Sequence, residues 1–148
     1  MEITKHDPDE LGIAIRVWCD GAANSATVTI ADDDSATVSI AANDPNASET
    51  GPDNGQYTVT LSKASSTDTT IVYTVSGTTT SGDDFTPLSG SVTITAGNTT
   101  ATIDLAVLDD ALVEASETVI VTLDSVSSGD PQITIDGAAD SATVTIAD

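Results

Sequence analysis

Residues 21–32 read GAANSATVTIAD and residues 137–148 read GAADSATVTIAD, with Asn24 against Asp140 as the one difference. The offset is 137 − 21 = 116 residues, close to the length of one β-sandwich domain. So close a match at that spacing marks a tandem array of domains. Inside the copied stretch Thr27, Val28, Thr29 and Ile30 alternate polar and apolar, the mark of a half-buried strand. The reading is therefore that residues 1–34 hold a leader plus the last strand and linker of a preceding repeat. Residues 35–148 then hold one whole domain. Function is to be sought in a repeated module.

Outward from that stretch, the same period-two pattern places strands over 25–31, 35–41, 56–61, 70–75, 90–95, 99–107, 118–123 and 141–147. Turn signals fall between them: Asn43-Asp44-Pro45-Asn46, Pro52-Asp53-Asn54-Gly55, Ser81-Gly82-Asp83-Asp84 and Ala96-Gly97-Asn98. Residues 111–116 read as loop, and no segment sustains a helical period. The expectation is all-β: an immunoglobulin-like Greek-key β-sandwich of about seven strands, preceded by an orphan strand from the previous repeat. The Cys…Trp…Cys hallmark of antibody domains is missing, so the likeness is architectural. Residues 1–20 differ from the rest and hold Lys5, Arg16, His6, Trp18 and Cys19. Residues 13–17 are strand-like ahead of Asp20-Gly21, as residues 132–135 are ahead of Asp136-Gly137.

Thr, Ser, Ala, Val and Asp dominate and aromatics make up 3% of the 148 residues. A thin core of small β-branched side chains follows, and such a domain profits from outside stabilisation. Three basic residues face 24 acidic ones, for a net charge of −21. Binding nucleic acid or an anionic membrane needs Lys and Arg, so neither is an expected partner. No apolar run is long enough to insert into a membrane. The single cysteine, Cys19, excludes an internal disulfide. A serine-hydrolase triad is excluded because no G-x-S-x-G elbow exists and the one histidine sits in the leader. Paired carboxylates also serve glycoside hydrolysis, but that chemistry needs aromatic sugar platforms the chain lacks. No enzymatic role is expected.

Four carboxylates crowd residues 109–117: Asp109, Asp110, Glu114 and Glu117, just before the apolar run Val119-Ile120-Val121. Carboxylates at this density repel one another unless a cation joins them. Hard oxygen ligands without His or Cys select Ca²⁺ or Mg²⁺, and the irregular spacing suits the flexible shell of Ca²⁺. The loop lacks the alternating ligands and central glycine of an EF-hand. A solvated acidic loop is the alternative from these residues alone.

The whole of residues 35–148 resembles a Calx-beta domain. The landmarks are Ala47-Ser48-Glu49-Thr50-Gly51, Tyr57 to Ser62 (YTVTLS), Gly82-Asp83-Asp84-Phe85, Ala96-Gly97-Asn98, and Asp109-Asp110…Glu114…Glu117 ahead of a hydrophobic strand. The resemblance implies Ca²⁺ at one end of the sandwich, with Glu49, Asp84, Asp109, Asp110, Glu114 and Glu117 as side-chain ligands. It also implies the backbone carbonyl of Leu112 and an acidic group after the last strand, here Asp148. Asp83, beside Asp84, is a reserve ligand that could equally cap the turn. The first copy of the repeat runs on as Asp32-Asp33-Asp34, so two more carboxylates are expected after Asp148 in a continuing array.

The expected function is a calcium-binding structural repeat of an extracellular, adhesin-type surface protein, with the ion stiffening the junction to the next repeat. The partners expected are neighbouring repeats of the chain and a host or matrix ligand. The alternatives are a module that itself grips a glycan or protein, and a Ca²⁺-sensing regulatory domain. Residues 25–30, a terminal strand without a domain, are expected either to stay unpaired or to add to an exposed sheet edge, giving a strand-exchange dimer.

Overall fold

The computed structural model describes residues 27–31, 33–51 and 53–148. The chain divides into two compact units, Met1–Asp33 and Asp34–Asp148. In the second, nine strands form: β1 (Ala36–Asp44), β2 (Asn46–Ser48), β3 (Gly55–Leu61), β4 (Thr69–Gly77), β5 (Ser91–Ile94), β6 (Thr100–Leu105), β7 (Glu117–Ser128), β8 (Ile133–Ile135) and β9 (Ser141–Ala147). They build one sheet in the order β6-β3-β1-β8 and another in the order β2-β9-β7-β4-β5. The immunoglobulin-like sandwich is therefore present.

Alternation in sequence becomes alternation in burial. Along β3, Gly55, Tyr57, Val59 and Leu61 are buried while Gln56, Thr58 and Thr60 are partly exposed. The inward sets of both sheets meet in one core that includes Val38, Ile40, Ile71, Ile103, Leu105, Val119, Val121 and Val144. It is rich in β-branched residues, yet Tyr57, Tyr73 and Phe85 are buried in it as well. The Tyr57 hydroxyl on β3 donates to the Val119 carbonyl on β7 at 2.8 Å. This bond links the two sheets through the core. Burial pushes the Tyr57 phenol well above its ordinary range, so it remains a donor.

All seven strands expected within residues 35–148 lie on observed ones, and β9 has the expected bounds. The two additional strands, β2 and β8, are three residues each. Pro45 separates β1 from β2. It lacks an N–H, so the first sheet's ladder stops at Asp44, and the chain crosses to pair β2 in parallel with β9. The Asn43–Asn46 segment, expected as a turn, is this crossover. Residues 111–116 are irregular, as expected.

The orphan strand is corrected. Residues 27–31 form no strand, and Val28 and Ile30 are 59% and 88% exposed. An isolated segment has no neighbour to satisfy its backbone or cover its apolar face. Residues 25, 26 and the strand-like stretch 13–17 lie outside the described residues.

Replacing Tyr57 by Phe removes the inter-sheet bond while keeping the ring. Urea unfolding of Tyr57→Phe should show a stability loss of about 1–2 kcal/mol with an unchanged m-value.

Candidate metal centre

One end of the sandwich collects the start of β7 and the ends of β2, β4 and β9. Glu49 follows β2 directly, and its N–H donates to the Ala147 carbonyl of β9 at 2.9 Å. That bond continues the parallel β2–β9 pairing by one residue and turns Glu49 inward, where it is 6% exposed. Asp84 sits in a tight turn that Gly82 enables with a φ of 97°. Phe85, 1% exposed, anchors the turn in the core and bridges to Val107. The Asp84 carboxylate accepts from the Thr80 N–H, and the Asp84 carbonyl accepts from the Leu108 N–H at 2.9 Å. Its residual exposure is 7%. The third member, Glu114, is exposed and lies in the loop before β7.

Carboxylate oxygens of Glu49, Asp84 and Glu114 all lie within 4.8 Å of one another. Two oxygens on opposite sides of a Ca²⁺ ion are about 4.6–5.2 Å apart, so the spread of the triad falls within one calcium shell. The donor set is hard oxygen alone. Lys63 is the single basic residue after Arg16, and it pairs with Asp34 at 2.7 Å at the opposite end. No cationic side chain of the described residues therefore neutralises the group.

The electrostatics record that crowding. The Glu49 carboxyl is raised above its ordinary pKa by burial first, then by Asp110, Glu114, Asp148 and Asp84. Glu114 is raised by desolvation, then by Asp84, Asp110, Asp148 and Asp83. Glu117, half-buried at the start of β7, is raised by desolvation and by a hydrogen bond with Asp84. The structure thus brings Glu49, Asp84 and Glu114 together and sets Glu117, Asp110 and Asp148 against them. Asp148 Oδ2 accepts from the Glu114 N–H at 3.1 Å, tying the end of β9 to the loop. Asp110 Oδ1 accepts from the Leu112 N–H at 2.6 Å, which folds the loop back on itself. Leu112 itself is 64% exposed. Asp109 is exposed and outside the close triad.

Residues 31–148 match the family described as Calx-beta domain. The chain belongs to that family. Among solved structures, the apo-form Calx CBD1 domain resembles it with a TM-score of 0.59 at 20% identity, covering 76% of this chain and 97% of that one. The calcium binding domain CBD12 of CALX1.1 gives 0.57 at 22% identity, over 74% of this chain and 44% of that one. A two-domain protein of unknown function from Bacteroides fragilis gives 0.56 at 11%, over 76% and 45%. At these identities the likeness is one of fold. Comparison with curated proteins finds no match.

This Calx-beta domain also uses residues that sequence reasoning passed over. The Thr80 N–H and the Ala147 carbonyl aim Asp84 and Glu49. Gly77 ends β4 with a φ of 136°, and a Cβ there would stand 2.0 Å from the Thr118 carbonyl oxygen. Only glycine lets β4 approach the start of β7 so closely, beside Glu117. A lone glycine closing a β-branched run was the available signal.

Raised carboxyl pKa values mean that the folded, metal-free domain binds more protons than the unfolded chain. Its stability is full below the ordinary carboxyl range and falls as pH rises through the raised values. In EDTA, the melting temperature should therefore climb as pH drops from neutral to the ordinary glutamate value of 4.5. In saturating Ca²⁺ the climb should vanish or reverse, because protons and the cation compete for the same oxygens.

Proposed function

We propose that this Calx-beta domain is a calcium-binding structural repeat. Glu49, Asp84 and Glu114 form the centre of the site. Glu117, Asp110 and Asp148 complete it, and Asp109 and the Leu112 carbonyl of the same loop add further oxygens as the shell fills. The observation that carries this reading is three carboxylates converging on a rigid frame, two of them buried, without a cationic side chain among them. A bound cation removes the mutual repulsion, and hard oxygen donors at this spread favour Ca²⁺.

The ion's structural role follows from where β9 ends. Asp148 is hydrogen-bonded to the Glu114 backbone, so a chain continuing past it departs from the site itself. The repeat predicts that continuation to read as Asp32-Asp33-Asp34 does, which adds carboxylates to the tip. Calcium bound by both loop and linker fixes the angle between successive domains. We place the array outside the cell, on an adhesin-type surface protein. The supports are the large negative charge and the tandem repeat, and extracellular modules bind Ca²⁺ at roughly 10⁻⁴–10⁻³ M. No catalytic role is proposed.

Thermal unfolding in EDTA, Mg²⁺ and Ca²⁺ tests the reading. At about 5 mM Ca²⁺ and such affinities, the stabilisation is about 1–2 kcal/mol, or about 4–10 °C in melting temperature. Mg²⁺ should do much less. Glu49→Gln and Asp84→Asn should each raise the melting temperature in EDTA and abolish most of the calcium response. Equal melting temperatures in all three conditions would sink the proposal.

A further inference from the structure

The sequence writes one strand twice: residues 25–31 and residues 141–147 both read SATVTIA. In the second copy, β9, Val144 and Ile146 are 0% and 2% exposed, held in the slot between β7 and β2. In the first, Val28 and Ile30 stand in solvent and residues 27–31 join no strand. With identical side chains, the slot has no means of telling the two segments apart. Each ladder bond and apolar contact made by residues 143–147 is equally open to residues 27–31.

We propose that residues 27–31 of one copy take the place of residues 143–147 in another, joining copies of this chain head to tail by strand exchange. This goes beyond the calcium reading and stands without it. Within one copy the move is out of reach. The slot ends at the acidic tip, where Ala147 pairs with Ser48. β1 starts at the other end, and its nine residues cover about 30 Å at 3.3 Å per residue. Only residues 32–35 link the segment to β1, and that linker spans at most about 18 Å. The acceptor must therefore be a second copy.

The contact is heterologous: one copy's segment meets a different surface of its neighbour. Repetition then gives open chains, or rings where the rotation between copies closes. The incoming segment makes the same bonds that the displaced strand gives up, so concentration decides the balance. The resident β9 enjoys an effective concentration in about the millimolar range, and exchange becomes appreciable as protein approaches it.

Paired cysteines read the exchange directly. Thr118 of β7 faces Thr145 in the resident arrangement, and the residue equivalent to Thr145 in the first copy is Thr29, at 145 − 116 = 29. Opposed Cβ atoms in antiparallel strands lie within disulfide reach. In a Cys19→Ser background, Thr29→Cys with Thr118→Cys is warmed at about 1 mM to the foot of its melting transition, cooled and oxidised. Peptide mapping should then find an intermolecular 29–118 disulfide, with a ladder beyond dimer on non-reducing gels. Tenfold dilution before warming should cut its yield several-fold. Adding Val28→Asp and Ile30→Asp should remove the linkage and leave the melting temperature unchanged, since both side chains are exposed. Absence of the 29–118 linkage at the higher concentration, or equal yield in the aspartate variant, overturns the proposal.

Discussion

Mutual repulsion among carboxylates held on a stiff frame is the constraint around which this domain is arranged. Flexible acidic loops relieve repulsion by moving apart. Here Glu49 is fixed by the extension of the β2–β9 pairing, and Asp84 by a turn whose Phe85 is sunk in the core. Neither can retreat without breaking structure that the sandwich needs. The fold therefore stores an electrostatic cost at one end, and only a proton or a cation offsets it. Lys63, the one basic residue of the sandwich, is engaged with Asp34 at the opposite end.

The frame owes its stiffness to links between the sheets rather than to a large core. Pro45 sends one continuous stretch of chain from the first sheet to the second, so β1 and β2 hold both layers. Tyr57 adds a polar tie from β3 to β7 through the interior. Both features act close to the acidic end: Val119 lies two residues from Glu117, and β2 leads directly into Glu49. Gly77 completes the approach of β4 to β7 there. Positioning of the carboxylates and closure of the sandwich are thus one problem solved by the same residues.

The strands were legible wherever alternation ran for six residues or more, as along QYTVTL and SATVTI, because burial on one face writes itself into sequence at period two. β2 and β8 escaped or stayed faint because three residues hold too little pattern, and their partners are remote: Ala47 finds Ile146 and Thr134 finds Thr37. The site divided in the same way. Glu114 and Glu117 announce themselves by local density, whereas Glu49 and Asp84 are distant in sequence and came only through the family resemblance. Asp109 and Asp110 both lie in the irregular loop outside the close triad, and Asp110 is the one that raises the Glu49 and Glu114 carboxyls. The repeat itself revealed β9 but not the fate of its twin, since a strand is made by its neighbours as much as by its own residues.

The parallel pairing of β2 with β9 carries a mechanical consequence. The sandwich is entered at Asp34 beside the start of β1 and left at Asp148 beyond β9, at opposite ends. Tension applied between those two points pulls β2 and β9 in opposing directions, parallel to their length. The Pro45–Thr145 and Ala147–Glu49 backbone bonds then lie across the line of force and must fail together, where hairpin strands peel one bond at a time. Forced unfolding is governed by the barrier and not by equilibrium stability. A domain of modest equilibrium stability can thus be strong under load, and Glu49 sets the acidic centre on the patch that bears it.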